Sequence, residues 1–122
     1  MDGSDLYAVA DLTGDIIQFK NFMSNMSGSI SATKRVTVAG LTRTHGITYS
    51  NSDDAMILTD VASATSATDG GLVIIKNFSS VFASTLAAGT IGLTNQIKVY
   101  GSNSLLGNSV DVAYIVLQNI FT

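Results

Sequence analysis

The 122-residue chain has no cysteine, tryptophan, proline or glutamate, and a single histidine. Without cysteine there is no disulfide framework, no thiol nucleophile and no Cys-ligated zinc or iron–sulfur centre. One histidine leaves a transition metal short of its usual second imidazole. Lysine and arginine number only six, so the residues that clothe exposed helices are scarce. Ser, Thr and Asn compete with helical backbone bonds, and they supply 36 residues, so long helices are not expected. Charge is dilute at 12% and the net charge is −3, which leaves no basic patch for nucleic acid. No run approaches the ~18 apolar residues of a membrane span. The start, Met1-Asp2-Gly3-Ser4-Asp5, is acidic where a signal peptide is basic and then apolar, so the chain is not expected to direct its own export.

What is present is apolar and repetitive. A hydrophobic fraction of 46% with a mean hydropathy of +0.36 argues against intrinsic disorder, and the length suits one domain. Leu6-Tyr7-Ala8-Val9-Ala10-Asp11 is followed by Gly14 to Phe22, and Ala55-Met56-Ile57-Leu58-Thr59-Asp60 is followed by Gly70 to Phe78. Lys-Asn-Phe recurs unchanged at 20–22 and 76–78, an offset of 56, while the preceding connection gains seven residues in the second copy. A length difference of that kind belongs in a surface loop between paired strands. Downstream, Ile30, Thr33, Val36, Val38 and Gly40 match Ile91, Thr94, Ile97, Val99 and Gly101 at an offset of 61, and Gly46 to Tyr49 match Asp111 to Tyr114 at 65. Ile120-Phe121-Thr122 resembles Leu6-Tyr7-Ala8. The expected organisation is one all-β domain over 1–122, with two repeats at about 6–54 and 55–114 and the opening of a third.

Each repeat reads as four short strands: His45 to Ser50, Ala55 to Thr59, Leu72 to Phe78 and Gln96 to Tyr100 in the better-defined copy. Val36-Thr37-Val38 and Ile97-Lys98-Val99 alternate with period two, whereas Leu72 to Ile75 is continuously apolar and is expected to be buried on both faces. The segment 79–88 is compatible with a helical turn or an extended linker. Four-stranded antiparallel sheets of this size are those of a β-propeller blade, with a β-sandwich as the alternative architecture.

The runs THGITYSNSDDAMILTDV, DGGLVIIKNF and IKVYGSNSLLGNSVDVAY resemble the NHL-type β-propeller repeats of secreted bacterial proteins, over most of the chain from Leu6 to Thr122. The resemblance implies an incomplete propeller of about two blades and a secreted or cell-surface setting. It departs from the family in lacking the proline common before the first strand. An incomplete propeller has unpaired strand edges, which drive self-association. The function expected is a non-catalytic module for self-assembly or for binding a protein or glycan. The alternative is part of a propeller-type, lactonase-like hydrolase whose catalytic residues lie outside this chain.

Few residues invite chemistry. Arg43 and His45, at the mouth of a first strand, form a candidate contact for an anion or polar ligand, with histidine able to change charge near neutrality; the plainer reading is a loop histidine bonded to a neighbouring strand. Asp53 and Asp54 in one turn, with Asp69 in the inserted loop, are candidate calcium ligands, because hard cations take carboxylate and carbonyl oxygens. No Asp-x-Asp-x-Asp-Gly spacing supports them, and a turn whose side chains bond their own backbone explains the pair equally well. No Gly-x-Ser-x-Gly elbow or paired-carboxylate cleft is visible, so no catalytic residue is expected. Asp11 and Asp60 match across the copies and are expected to cap strand ends.

Overall fold

The computed structural model describes residues 4–63 and 65–115. They form an all-β structure of two four-stranded sheets. The first contains β1 (Leu6–Ala10), β2 (Asp15–Phe19), β3 (Lys34–Val38) and β7 (Thr90–Ile91), in the order β1-β2-β3-β7. β7 runs parallel to β3, and the other pairings of this sheet are antiparallel. The second contains β4 (Ile47–Ser50), β5 (Ala55–Asp60), β6 (Gly71–Lys76) and β8 (Ile97–Tyr100), an antiparallel meander in the order β4-β5-β6-β8. One helix, α1 (Phe78–Ser84), follows β6.

A single core lies between the sheets. The first contributes Ile16, Val36, Val38 and Ile91, the second Met56, Leu58, Val73 and Ile75, and α1 contributes Phe78 and Phe82. Tyr7, Val9, Ile47 and Tyr49 pack against this cluster from its margins. Successive strand residues point to opposite faces, so Leu6, Ala8, Ile17 and Phe19 lie on the outer face of the first sheet. Ala55, Ile57, Leu72, Ile74, Ile97 and Val99 lie on the outer face of the second.

The two Lys-Asn-Phe tripeptides occupy matching backbone settings. Asn21 and Asn77 both adopt the left-handed conformation, at φ 52°, which asparagine tolerates better than most residues. The chain therefore leaves the strand at the asparagine, and Phe22 and Phe78 each begin a helical segment. Phe22 N–H donates to the Ser4 carbonyl at 2.7 Å and Phe78 N–H to the Asp54 carbonyl at 2.9 Å. This corrects the expected strand from Leu72 to Phe78, which ends at Lys76.

The ladders also adjust the matching of the flanking strands. Leu6 pairs with Phe19, and Met56 pairs with Ile75, the residue 56 beyond Phe19. Leu6 thus corresponds to Met56, one place beyond its sequence match. Ile16 pairs with Val36 and Leu72 with Val99, so Val36 corresponds to Val99, two places further along. Short apolar strands align by composition at several registers, and only the ladder selects one.

One open choice is decided and two further expectations change. Segment 79–88 is helical over its first half, because Phe78 and Phe82 stand at i and i+4 and bury one stripe together. Leu72 and Ile74 are only half-buried, unlike Val73 and Ile75; on this outer face of the second sheet Ala55, Ile57 and Thr59 of β5 are buried, whereas Ile97 and Val99 of β8 are exposed. Residues 110–115 form no strand; Val110 and Asp111 pass against Gly46, just before β4, where an added side chain would meet the Asp111 Cα at 2.6 Å. The expected opening of a third copy at 120–122 lies outside the described residues.

Candidate functional site

The sequence candidates Arg43 and His45 are brought together, with Asp11 as their common partner. Asp11 sits in the β1–β2 turn, and Arg43 and His45 precede β4, so the cluster bridges the sheets. Arg43 Nε and Nη2 donate to Asp11 Oδ1 and Oδ2 at 3.1 and 2.9 Å, a bidentate geometry suited to carboxylate. His45 Nε2 lies 3.1 Å from Asp11 Oδ2. The hydrogen bonds from Arg43 hold the Asp11 carboxyl below its usual range, and Asp11 in turn raises Arg43. An incoming anion must displace Asp11, so the arrangement acts first as a fastener between the sheets.

The fastener continues into the interior. Asp60, 1% exposed, accepts the backbone N–H groups of Arg43 and Ala62 and the Lys98 Nζ at 3.1 Å. It caps the end of β5, as its position implied. Asp11 instead binds side chains, because the β1–β2 turn is short and Arg43 and His45 reach it.

The calcium candidates take separate partners. Asp53 accepts the Ser50 hydroxyl at 2.8 Å and faces the Tyr114 hydroxyl, whose ionisation that contact pushes up. Asp54, left-handed at φ 47°, accepts Tyr49 Oη at 2.6 Å, Ser79 Oγ at 2.8 Å and Ser79 N at 3.1 Å. Burial pushes the Asp54 carboxyl up, but these donors outweigh it and hold it low. Asp69 accepts Ser63 N at 3.2 Å within the inserted loop. Among the described residues no three such side chains form a group able to hold a metal ion.

The feature that the site candidates missed is the outer face of the second sheet. Ile97 and Val99 are 47% and 40% exposed, Leu72 and Ile74 are half-buried beside them, and Ala55 and Ile57 are buried. Two adjoining grooves mark this face. One, of about 400 Å³, has an apolar floor of Ala55, Ile57 and Ile74 and a polar rim that includes Asp53, Lys76 and Tyr114. The other, of about 230 Å³, shares Ile74, Lys76 and Asn77 and extends to Gln96 and Ile97. The uninterrupted Leu72–Ile75 run was the signal for it, since such a strand seeks cover on both faces.

The first sheet has a groove at the corresponding place. Tyr7, Gln18, Lys20 and Lys34 line it, and α1 of the second half closes its other side with Ser79, Phe82 and Ala83. There the Tyr7 ring meets Phe78 and Phe82 edge-on at 5.4 Å, Gln18 donates to Tyr7 Oη at 2.8 Å, and Lys34 Nζ sits 4.5 Å over the Phe82 ring while donating to the Phe82 carbonyl. No family model, curated protein or solved structure matches the chain.

Proposed function

We propose that this chain is a non-catalytic repeat module of the β-propeller-blade type, built to present sheet faces for association. The supporting observation is the direction in which corresponding residues face. Ile16 and Gln18 turn toward the shared core, yet Leu72 and Ile74, 56 residues on, turn away from it. Ile17 and Phe19 turn outward, yet Val73 and Ile75 turn inward. Two sheets related by a face-to-face dyad would bury corresponding residues at one interface; here corresponding residues alternate, as in sheets stacked front to back. Consecutive propeller blades stack in that sense. A secreted or cell-surface setting comes with the NHL resemblance and depends on it.

The reading is tested by NMR cross-relaxation on the full chain. Contacts from the Val73 and Ile75 methyls to the Ile16 and Val36 region, with Tyr7 ring contacts to Phe78 and Phe82, are expected. Contacts to that region from Leu72 and Ile74 instead would overturn the stacking. Turnover of simple lactone or ester substrates by the purified chain would overturn its non-catalytic part.

A further inference from the structure

Front-to-back stacking leaves two complementary faces unused. The outer face of the second sheet corresponds to the face with which the first sheet holds the second. The outer face of the first sheet, with Leu6, Ala8, Ile17 and Phe19, corresponds to the face with which the second holds the first. One molecule therefore carries both halves of an interface that it already makes internally. We propose that the outer face of the second sheet is the docking site for the outer face of the first sheet of another copy of this chain, a proposal that rests on the module reading above.

Three observations carry it beyond apolarity. The first is the pair of matching grooves: in the first sheet α1 forms the far wall of the groove at Tyr7, Gln18 and Lys34, and the corresponding positions Ile57, Ile74 and Ile97 line the two grooves on the outer face of the second. The segment of an incoming copy that corresponds to α1 begins at Phe22, so this ring is the expected occupant. The second is an edge. β4 covers the outer edge of β5, but β1, at the end of its sheet, has no such strand beside it among the described residues. The third is a strand in waiting. Residues 111–114 match Gly46 to Tyr49, the start of β4; Val110 and Asp111 pass against Gly46, just before β4, and Tyr114 lines the groove on the face in question. Since Ile47 pairs with Leu58 and Tyr49 with Met56, the corresponding pairing across copies sets Val112 opposite Ala8 and Tyr114 opposite Leu6. Face stacking and strand addition then act together.

The contact joins different surfaces of the two copies. Such an interface is heterologous and propagates to a closed ring or an open filament. This gives a test that a symmetric dimer fails. Ile97→Lys blocks the second-sheet face and Leu6→Lys blocks the first-sheet face; both residues are exposed. The wild-type chain is expected to show a mass that rises with concentration in sedimentation or light scattering, and each variant alone to associate at least about tenfold more weakly. An equimolar mixture of the two variants, each with one intact face, is expected to form a 1:1 dimer and stop there. Val99→Lys and Ala8→Lys provide a second pair should either variant misfold. A wild-type chain that stays monomeric into the high micromolar range, variants that associate as before, or a mixture that stays monomeric each overturns the proposal. The Tyr7–Phe78 cross-relaxation is recorded on the same samples. Where it persists without association, docking fails and the module reading stands; where it is lost, the reading itself has failed.

Discussion

Lys20-Asn21-Phe22 and Lys76-Asn77-Phe78 begin alike and end differently. Both leave a strand through a left-handed asparagine and anchor the phenylalanine N–H on a backbone carbonyl. The first then makes a single 3-10 turn, Phe22–Ser24, with no buried residue; the second makes α1, whose Phe78 and Phe82 are buried. The residue four beyond Phe22 is Met26, 58% exposed. Isolated helices this short are not stable in water, so the difference lies in cover. α1 has the Tyr7 face of the first sheet above it and Asp54 at its first turn. The earlier turn has no second sheet against it.

The largest effect that can break this comparison comes from the two phenylalanines. Phe78→Ala is expected to destabilise by about 3–5 kcal/mol, the range for emptying a buried aromatic site, and Phe22→Ala by about 1 kcal/mol or less in the isolated chain. Chemical denaturation of both variants checks this, and equal losses would show that the two turns share one role. A smaller effect is expected at the anchor of α1. Asp54→Asn keeps a residue that tolerates the left-handed conformation but removes the charge accepting Tyr49 and Ser79, at a cost of about 1–2 kcal/mol. Loss of amide protection in 78–84 beyond that in the strands locates the damage.

Acid should act on the same anchor. Asp11, Asp15 and Asp54 are all held below the usual carboxylate value. For Asp15, burial raises the group, but Arg35, Thr37 and Thr13 outweigh it. The unfolded chain therefore binds protons at a higher pH than the folded one. The stability from these groups is complete above the ordinary carboxylate pKa of about 3.9 and is lost as pH falls from there through the folded values. Melting temperatures should be flat from about pH 7 to 5 and fall below about pH 4, more shallowly in Asp54→Asn. The smallest expected effect is at the fastener between the sheets. Asp11→Asn weakens a half-exposed contact, so its loss of stability is expected to be the smallest of the set, and added salt should shrink the difference from wild type further.

Legibility followed the same division. The all-β character was plain from scarce helix formers and short apolar runs, and β4, β5 and β8 lie within a residue or two of the segments marked in the sequence. The strand predicted through Phe78 failed because an apolar residue after a strand looks like more strand; the left-handed Asn77 turns the chain, and pattern alone does not show it. Arg43 and His45 were legible as a pair, but their partner Asp11 lies some thirty residues away and depends on the stacking of two sheets. Asp53, Asp54 and Asp69 were grouped by charge, and folding assigned each to a different neighbour.

By itself the sequence determined local matters: where strands start, which residues repeat, and that Leu72–Ile75 would seek cover on both faces. These follow from side-chain size, polarity and backbone preference, which act over a few residues. Tertiary structure decided which face of each sheet became core, the one- and two-residue shifts in the ladders, and which of two identical tripeptides grew into a helix. Those outcomes depend on what lies across the interface. Alternation along a strand defines two faces but does not rank them, and only the arrival of a second sheet does.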